Sequence, residues 1–559
     1  MMSDKTKIFF YSLFFSLVAM VFVSHAQKLP SGPQVLTFFS DVDDTEQPYG
    51  LYLPENYDPQ KKYPLVVMLH GAGSNHRLSL RRVFGKSNLE NENDVEASRY
   101  FPDWEPVDFI VISPYARGTA GYQGIPEKDV YDALEDAKKR FSVDEDRIYL
   151  TGLSMGGGGT LWLGMTRPDI WAAIAPVCPA PPQGTDEFYK NAFNYPVHFF
   201  HGDADPVVPV KISRDWVSNL KEIGAEVKYK EFPGVKHDSW VKAYEDGYIF
   251  DWFSKIRRNP FPEEVKFTTK QYKYNKAYWV KTDALTPGTL ATIEAKFTDP
   301  NEINITTSGL SALTLNLAGH PDFDKNKTLK LKVDGEKFKT KGEEVIKFHK
   351  EDDKWAEGAV DLKPTAKQEG QEGPISEAFA GRHVYVYGTL DNPTQEELMQ
   401  RINLANEAAN WSVYRGGFLG RYMVFPRVVS DKELRPSDYE NTNLVLFGTK
   451  ETNAIIAENQ DQLPIHLSDT ASNYGLFYIF PLNGNYVAIS SGLPWWHHEN
   501  TPGFNFLPAN LSGLSGFKDY ILFQNSVENK VGEGYFDNQW SLSEETKAKL
   551  EANGVVEVR

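Results

Sequence analysis

Three runs in the first third of the chain are apolar at every position: Leu65-Val66-Val67-Met68-Leu69, Phe109-Ile110-Val111-Ile112 and Ile148-Tyr149-Leu150. A strand with one wet face alternates apolar and polar residues, so an unbroken run implies that both faces are covered, as in a central strand of a parallel sheet. Between the second and third runs, Val130, Leu134, Ala137 and Phe141 recur at helical spacing over 128–141. Strand, helix, strand in that order predicts an α/β region over 27–258 with right-handed crossovers.

The pattern then changes to strict alternation. Ile303 and Ile305, Leu313, Leu315 and Leu317, and Leu329, Leu331 and Val333 each place apolar residues on one face, and Asp334-Gly335 follows the last run as a hairpin turn. These features predict a small antiparallel β domain over 259–362. Residues 363–374 are polar and broken by Gly and Pro, which reads as a linker or long loop. Beyond them, over 375–559, the α/β pattern returns. Val384-Tyr385-Val386-Tyr387-Gly388-Thr389 reappears in kind as Leu444-Val445-Leu446-Phe447-Gly448-Thr449, and Thr394 with Glu397 three positions later forms a capping-box signature. A second, smaller open sheet follows from this. A Gly-Thr turn lacks the spaced glycines that let a backbone approach phosphate, so no nucleotide site follows.

Composition narrows the classes. Of 559 residues, 59 are basic and 76 acidic, a net charge of −17, which leaves no electrostatic footprint for nucleic acid. A single cysteine excludes a disulfide scaffold and a thiolate-rich zinc site. At the start, Lys5 and Lys7 precede an apolar run from Ile8 to Val23, and Ser24-His25-Ala26 places small residues where a signal peptidase cuts. The run is short against a bilayer core of about 30 Å, so 1–26 reads as a signal peptide removed before Gln27, giving a secreted or periplasmic protein with no stable membrane insertion.

The sharpest chemical signal is Gly152-Leu153-Ser154-Met155-Gly156, directly after the third apolar run and followed by Gly157, Gly158 and Gly159. A serine on a strained strand-to-helix turn needs small neighbours two residues before and after it. A hydroxyl is a weak nucleophile without a base and an orienting acid, which in this architecture follow in the order Ser, acid, His. Both candidates lie just past strand ends: Asp203 or Asp205 in His201-Gly202-Asp203-Ala204-Asp205-Pro206, and His237 after Pro233-Gly234. Asp205 is favoured, because Asp203 occupies the tight turn where Asx side chains bond local backbone. His201 lies too close to the acid and too early in the order to be the base, and reads as a packing residue beneath the site. Small residues in His70-Gly71-Ala72-Gly73 let a backbone N–H, with that of Met155, face a developing oxyanion. No catalytic role falls to Cys178, a buried strand-end thiol.

These segments, with His237-Asp238-Ser239-Trp240, resemble the α/β-hydrolase superfamily, above all secreted feruloyl and acetyl-xylan esterases of carbohydrate esterase family 1. Dienelactone-hydrolase-like and prolyl-oligopeptidase-like hydrolases share the likeness, which covers about 48–258. The resemblance implies Ser154 as nucleophile, His237 as base, Asp205 as its orienter, and N–H groups of Met155 and Ala72 as oxyanion hole. It implies no cofactor or metal, and an ester substrate, with polysaccharide-borne acyl groups as the leaning. A serine peptidase of the prolyl-oligopeptidase-like group and a non-catalytic binding protein on a hydrolase scaffold are the alternatives.

Other constellations carry less. Asp322-Phe323-Asp324-Lys325-Asn326 begins like a calcium loop, but Lys327 stands where Gly is required, so it reads as a turn. His497-His498-Glu499 lacks further ligands. Trp495-Trp496 reads as core or hinge aromatics, with a sugar-stacking platform as the alternative. Glu90, Glu92, Asp94 and Glu96 read as a solvated loop.

Overall fold

In the computed structural model, which describes residues 29–411, 413–414, 421–469, 471–499, 507–552 and 554–559, the three unbroken apolar runs lie side by side. The expected signal peptide lies outside the described residues. The first sheet contains β1 (Gly32–Ser40), β2 (Thr45–Leu53), β3 (Tyr63–Leu69), β4 (Ile110–Pro114), β5 (Val143–Leu153), β6 (Ala173–Val177), β7 (Val197–Gly202) and β8 (Val227–Phe232), in the order β1-β2-β4-β3-β5-β6-β7-β8. Strand β2 is antiparallel to both neighbours, and β4 through β8 are parallel.

Alternation along β3 explains why its run is unbroken. Leu65, Val67 and Leu69 enter a core shared with α2 (Ile125–Arg140), α3 (Met155–Thr166) and α4 (Lys211–Glu222). Val66 and Met68 enter a second core, on the opposite face, with α1 (His76–Val83) and the helix Tyr248–Ser254. Helix α2 carries the predicted apolar stripe but starts earlier, at Ile125, because Gly124 turns the chain at φ 64° and Pro126 suits a first turn that needs no N–H.

The alternating segments form two five-stranded sheets, and their alternate residues Ile303, Ile305, Leu313, Leu315, Leu329, Leu331 and Val333 share one core. The sheets are not wholly antiparallel as expected: Glu302–Ser308 pairs parallel with Thr328–Val333. Between these strands the chain makes the intervening strand Leu310–Asn316 in the opposite sheet, so it returns in the same direction. Asp334 and Gly335 both take positive φ, 48° and 97°, the geometry that a two-residue hairpin between twisted strands requires.

Residues 363–374 form a long irregular loop, one of the two readings the sequence allowed, and it is pinned by buried side chains. Lys367 is buried and ion-paired with the buried Asp519, and the buried Glu372 accepts the N–H groups of Tyr272 and Lys273. A polar segment reads as loop when its partners lie a hundred residues away. The last region holds a seven-stranded sheet. Its first four strands, Arg427–Ser430, His383–Tyr387, Asn443–Phe447 and Asn485–Gly492, are parallel, so the two Gly-Thr strands are neighbours. The remaining three, Tyr474–Leu482, Tyr520–Gln524 and Lys530–Gly534, pair antiparallel. Thr394 and Glu397 form the predicted capping box on Gln395–Ala408.

Candidate active site

At the carboxyl end of β5 the chain turns into α3 through Ser154, whose backbone takes φ 56° and ψ −117°. That left-handed conformation is strained for a residue with a side chain. The surroundings hold it in place: Ser154 N–H donates to Val177 O at 2.9 Å, and Ser154 O accepts from Gly158 N and Ala180 N. The flanking glycines follow from contact. A Cβ on Gly152 would run into the Gly156 carbonyl, one on Gly156 into the Leu69 carbonyl, and one on Gly157 into the Val177 carbonyl.

Two further strand ends supply the partners. His237 Nε2 lies 2.9 Å from Ser154 Oγ, and His237 Nδ1 lies 2.8 Å from Asp205 Oδ2. The other Asp205 oxygen accepts the N–H groups of Val207 and Val208 at 2.8 and 2.9 Å. Burial pushes the Asp205 carboxyl up, but the bond to His237 and the two N–H groups outweigh it and hold it below its ordinary range. Asp203 instead accepts the Gly234 N–H at 2.7 Å, a turn-fastening role. Ionised Asp205 fixes the imidazole with Nδ1–H toward the acid and the lone pair of Nε2 toward the serine hydroxyl. This arrangement can draw the proton from Ser154 as its oxygen attacks a carbonyl.

The N–H groups of Ala72 and Met155 have no protein acceptor among the described residues, whereas Gly73 N–H is taken by Thr119 Oγ1 at 2.8 Å. Gly71 keeps the turn close to the serine: a Cβ there would meet the Leu153 side chain at 2.8 Å.

Some residues do more than their sequence context suggested. His201 Nε2 approaches Asp205 Oδ2 at 3.3 Å and Val208 O at 3.1 Å, while its Nδ1 meets Ser213 Oγ at 2.8 Å. Burial lowers its pKa, so the neutral ring donates from Nε2 and accepts from the Ser213 hydroxyl. The spacing of four residues between His201 and Asp205 was the available signal. Cys178, with φ 36°, points its thiol at His237 O, 3.5 Å away. Cys178, Asp205 and His237 bring possible ligand atoms within 4.8 Å of one another. Burial, however, pushes the thiol up to about 12, and Asp205 and His237 are engaged with each other.

The acidic loop is not merely solvated. Glu92 pairs with Arg81, Asp94 with Arg82, and Glu96 completes a capping box on Asn93. Arg82 also lies over the Trp240 ring, which meets His237 edge-on at 5.5 Å. Two expected alternatives lose ground elsewhere. Trp495 is 1% exposed and stacked on Phe477, so it is core rather than a sugar platform, and Trp496 donates to Glu407. His498 meets Glu528 at 2.6 Å. Asp324 accepts from Asn326 N–H within a turn.

Comparison with known proteins falls on the same part of the chain. Residues 123–250 match the phospholipase/carboxylesterase family. Acyl-protein thioesterase 1 of Neurospora crassa is 34% identical over 116 residues, 18% of this chain and 44% of its own length. Feruloyl esterase C of Emericella nidulans is 24% identical across 36% of this chain and 75% of its own. A probable dipeptidyl-peptidase 5 of Aspergillus flavus is 21% identical across 40% of this chain and 35% of its own. The chain thus spans less than half the length of the thioesterase and about a third of the peptidase. The first sheet region matches an α/β-hydrolase family over 123–250 and resembles feruloyl esterases and dipeptidyl-peptidase-like hydrolases. Among the described residues no helix is long and apolar enough to cross a membrane.

Proposed function

We propose that the chain is a serine ester hydrolase, in which Ser154 is the nucleophile, His237 the general base and acid, and Asp205 the orienting carboxylate. The observation that carries this reading is the continuous Ser154–His237–Asp205 hydrogen-bond chain on a left-handed serine turn. Ser154 Oγ attacks the ester carbonyl while His237 Nε2 takes its proton. The tetrahedral oxyanion is met by the N–H groups of Met155 and Ala72, each worth about 2.7–4 kcal/mol in the transition state. The C–O bond to the alcohol breaks and His237 returns the proton to the leaving oxygen. Water then repeats both steps on the acyl-enzyme, releasing the acid and restoring Ser154. This chemistry requires no metal or organic cofactor.

The substrate we propose is an acyl ester, feruloyl or acetyl, carried by a polysaccharide; the feruloyl esterase relative supports that choice. Residues 1–26 are read as an export signal, making the mature enzyme secreted or periplasmic. The catalytic unit is assigned to 27–258, followed by the β-rich unit to 362 and the C-terminal unit from 375. A peptidase reading is the second candidate, favoured by the dipeptidyl-peptidase relative that aligns over 278 residues. Ser154→Ala should keep the fold and lower p-nitrophenyl acetate turnover roughly 10⁴-fold or more. A panel of methyl ferulate, acetylated xylan, short p-nitrophenyl esters and a dipeptidyl anilide separates the readings. Near-normal turnover in Ser154→Ala rejects both, and anilide cleavage without ester preference reverses their order.

A further inference from the structure

Contacts between the C-terminal region and the hydrolase sheet fall on the β1–β2 turn and on a second segment, 115–125, which follows β4. One side of this strap holds the His70–Gly73 turn. Thr119 Oγ1 accepts the Gly73 N–H, Tyr115 O lies 2.8 Å from His70 Nε2, and Tyr122 Oη donates to His70 O at 2.9 Å. The other side belongs to the C-terminal region. Ile125 is part of the same buried cluster as Ile375, Phe379 and Val424, and Ala120 packs against that cluster. Arg117, fully buried with φ 62°, ion-pairs with Asp43 and Asp129 and reaches Met423 O at 3.4 Å. Asp43 sits in the β1–β2 turn, which Arg382 grips through Asp41 O at 2.6 Å and the Asp44 carboxylate.

We propose that the C-terminal region braces the oxyanion turn through this strap, with Thr119 as the positioning residue. The inference rests on reading Ala72 and Met155 as the oxyanion donors. By accepting the Gly73 N–H, Thr119 fixes the peptide that follows Ala72, and with it the direction of the turn that carries the Ala72 N–H. A misplaced oxyanion donor weakens transition-state binding while substrate binding is spared, so the loss falls on kcat.

The test uses the full-length protein and p-nitrophenyl acetate, with kcat and KM measured separately. Thr119→Val keeps the side-chain volume but removes the acceptor; it should lower kcat about tenfold or more with KM within about twofold. Thr119→Ser should restore kcat. Arg382→Ala should lower kcat a few-fold in the parent and have no further effect in a Thr119→Val background, because both act on one turn. Unchanged kcat in Thr119→Val, or additive effects in the double variant, overturns the brace. A fully active Ser154→Ala would instead reject the site reading on which the brace depends.

Discussion

The first and last sheets use the same local grammar, a buried parallel strand ending in a small residue before a helix, and they finish it oppositely. At the end of β5 the turn presents Ser154 outward, and side chains from two other strand ends arrive to meet it. At the ends of His383–Tyr387 and Asn443–Phe447 the turns are closed by the protein itself. The Asp431 carboxylate accepts Thr389 N–H, Thr389 Oγ1–H and Ala454 N–H at 2.9, 2.6 and 2.9 Å. Asn453 Nδ2 donates to Val386 O and Phe447 O, tying the two strand ends together. A carboxylate on loop N–H and hydroxyl groups and on the first N–H of the helix Ala454–Glu458 occupies the place an anionic ligand would take. The C-terminal turn has supplied its own carboxylate, and the first-sheet turn presents the Ser154 hydroxyl to His237. Strand–turn–helix order therefore locates a crevice, and the side chains that cross it decide whether it stays open.

The contrast breaks first at the acids. Asp205→Asn should lower kcat roughly 10³–10⁴-fold, because an amide can no longer hold His237 in the productive tautomer. Asp203→Ala should leave esterase turnover near the parent value and cost only about 1 kcal/mol, the worth of one turn hydrogen bond to Gly234. Steady-state kinetics with urea unfolding separates the two; comparable catalytic losses would mean that the acid had been assigned too narrowly. Asp431→Ala comes next. It strips three donors of a buried acceptor, so it should lower stability by about 3 kcal/mol, seen as a lower denaturation midpoint. Millimolar inorganic phosphate should not shift the melting temperature of the parent protein, since its carboxylate already fills that position. A phosphate-dependent rise would mean that the crevice is open after all.

The parts that could be read from sequence are those whose cause is local. Ser154 was legible because the elbow needs glycines within two residues, and Asp334-Gly335 because a two-residue hairpin needs two positive φ values in succession. The order of Ser154, Asp205 and His237 was legible because parallel strands bring their carboxyl ends to one rim. Distant pairing was not. Asp431 meets Thr389 across forty-two positions, Thr119 meets Gly73 across forty-six, and Lys367 meets Asp519 across 152. Nothing in a polar run such as 363–374 announces that Lys367 and Glu372 have buried partners waiting. Trp495 likewise reads as a platform or as core until Phe477 and Phe379 are seen packed against it.

The smallest effect sharpens the comparison from the side of charge. Asp205, half-buried and fully bonded, stays ionised; Glu372, where 363–374 meets Tyr272 and Lys273, does the reverse. Burial, then the nearby Glu377, pushes the Glu372 carboxyl up to about 8, against the pull of Lys273 and two backbone N–H groups. In the unfolded chain the same carboxyl releases its proton near pH 4.3. Between those values the folded state binds the extra proton, so stability must fall as pH rises. The contribution is present in full below about pH 4.3 and is lost progressively as pH climbs toward 8. Glu372→Gln is uncharged at every pH and should flatten that slope, so that urea midpoints at pH 5 and pH 8 draw together relative to the parent. If Glu372→Gln keeps the parental slope, Lys273 is holding Glu372 ionised, and the junction is an ordinary buried ion-pair network rather than a protonated carboxyl.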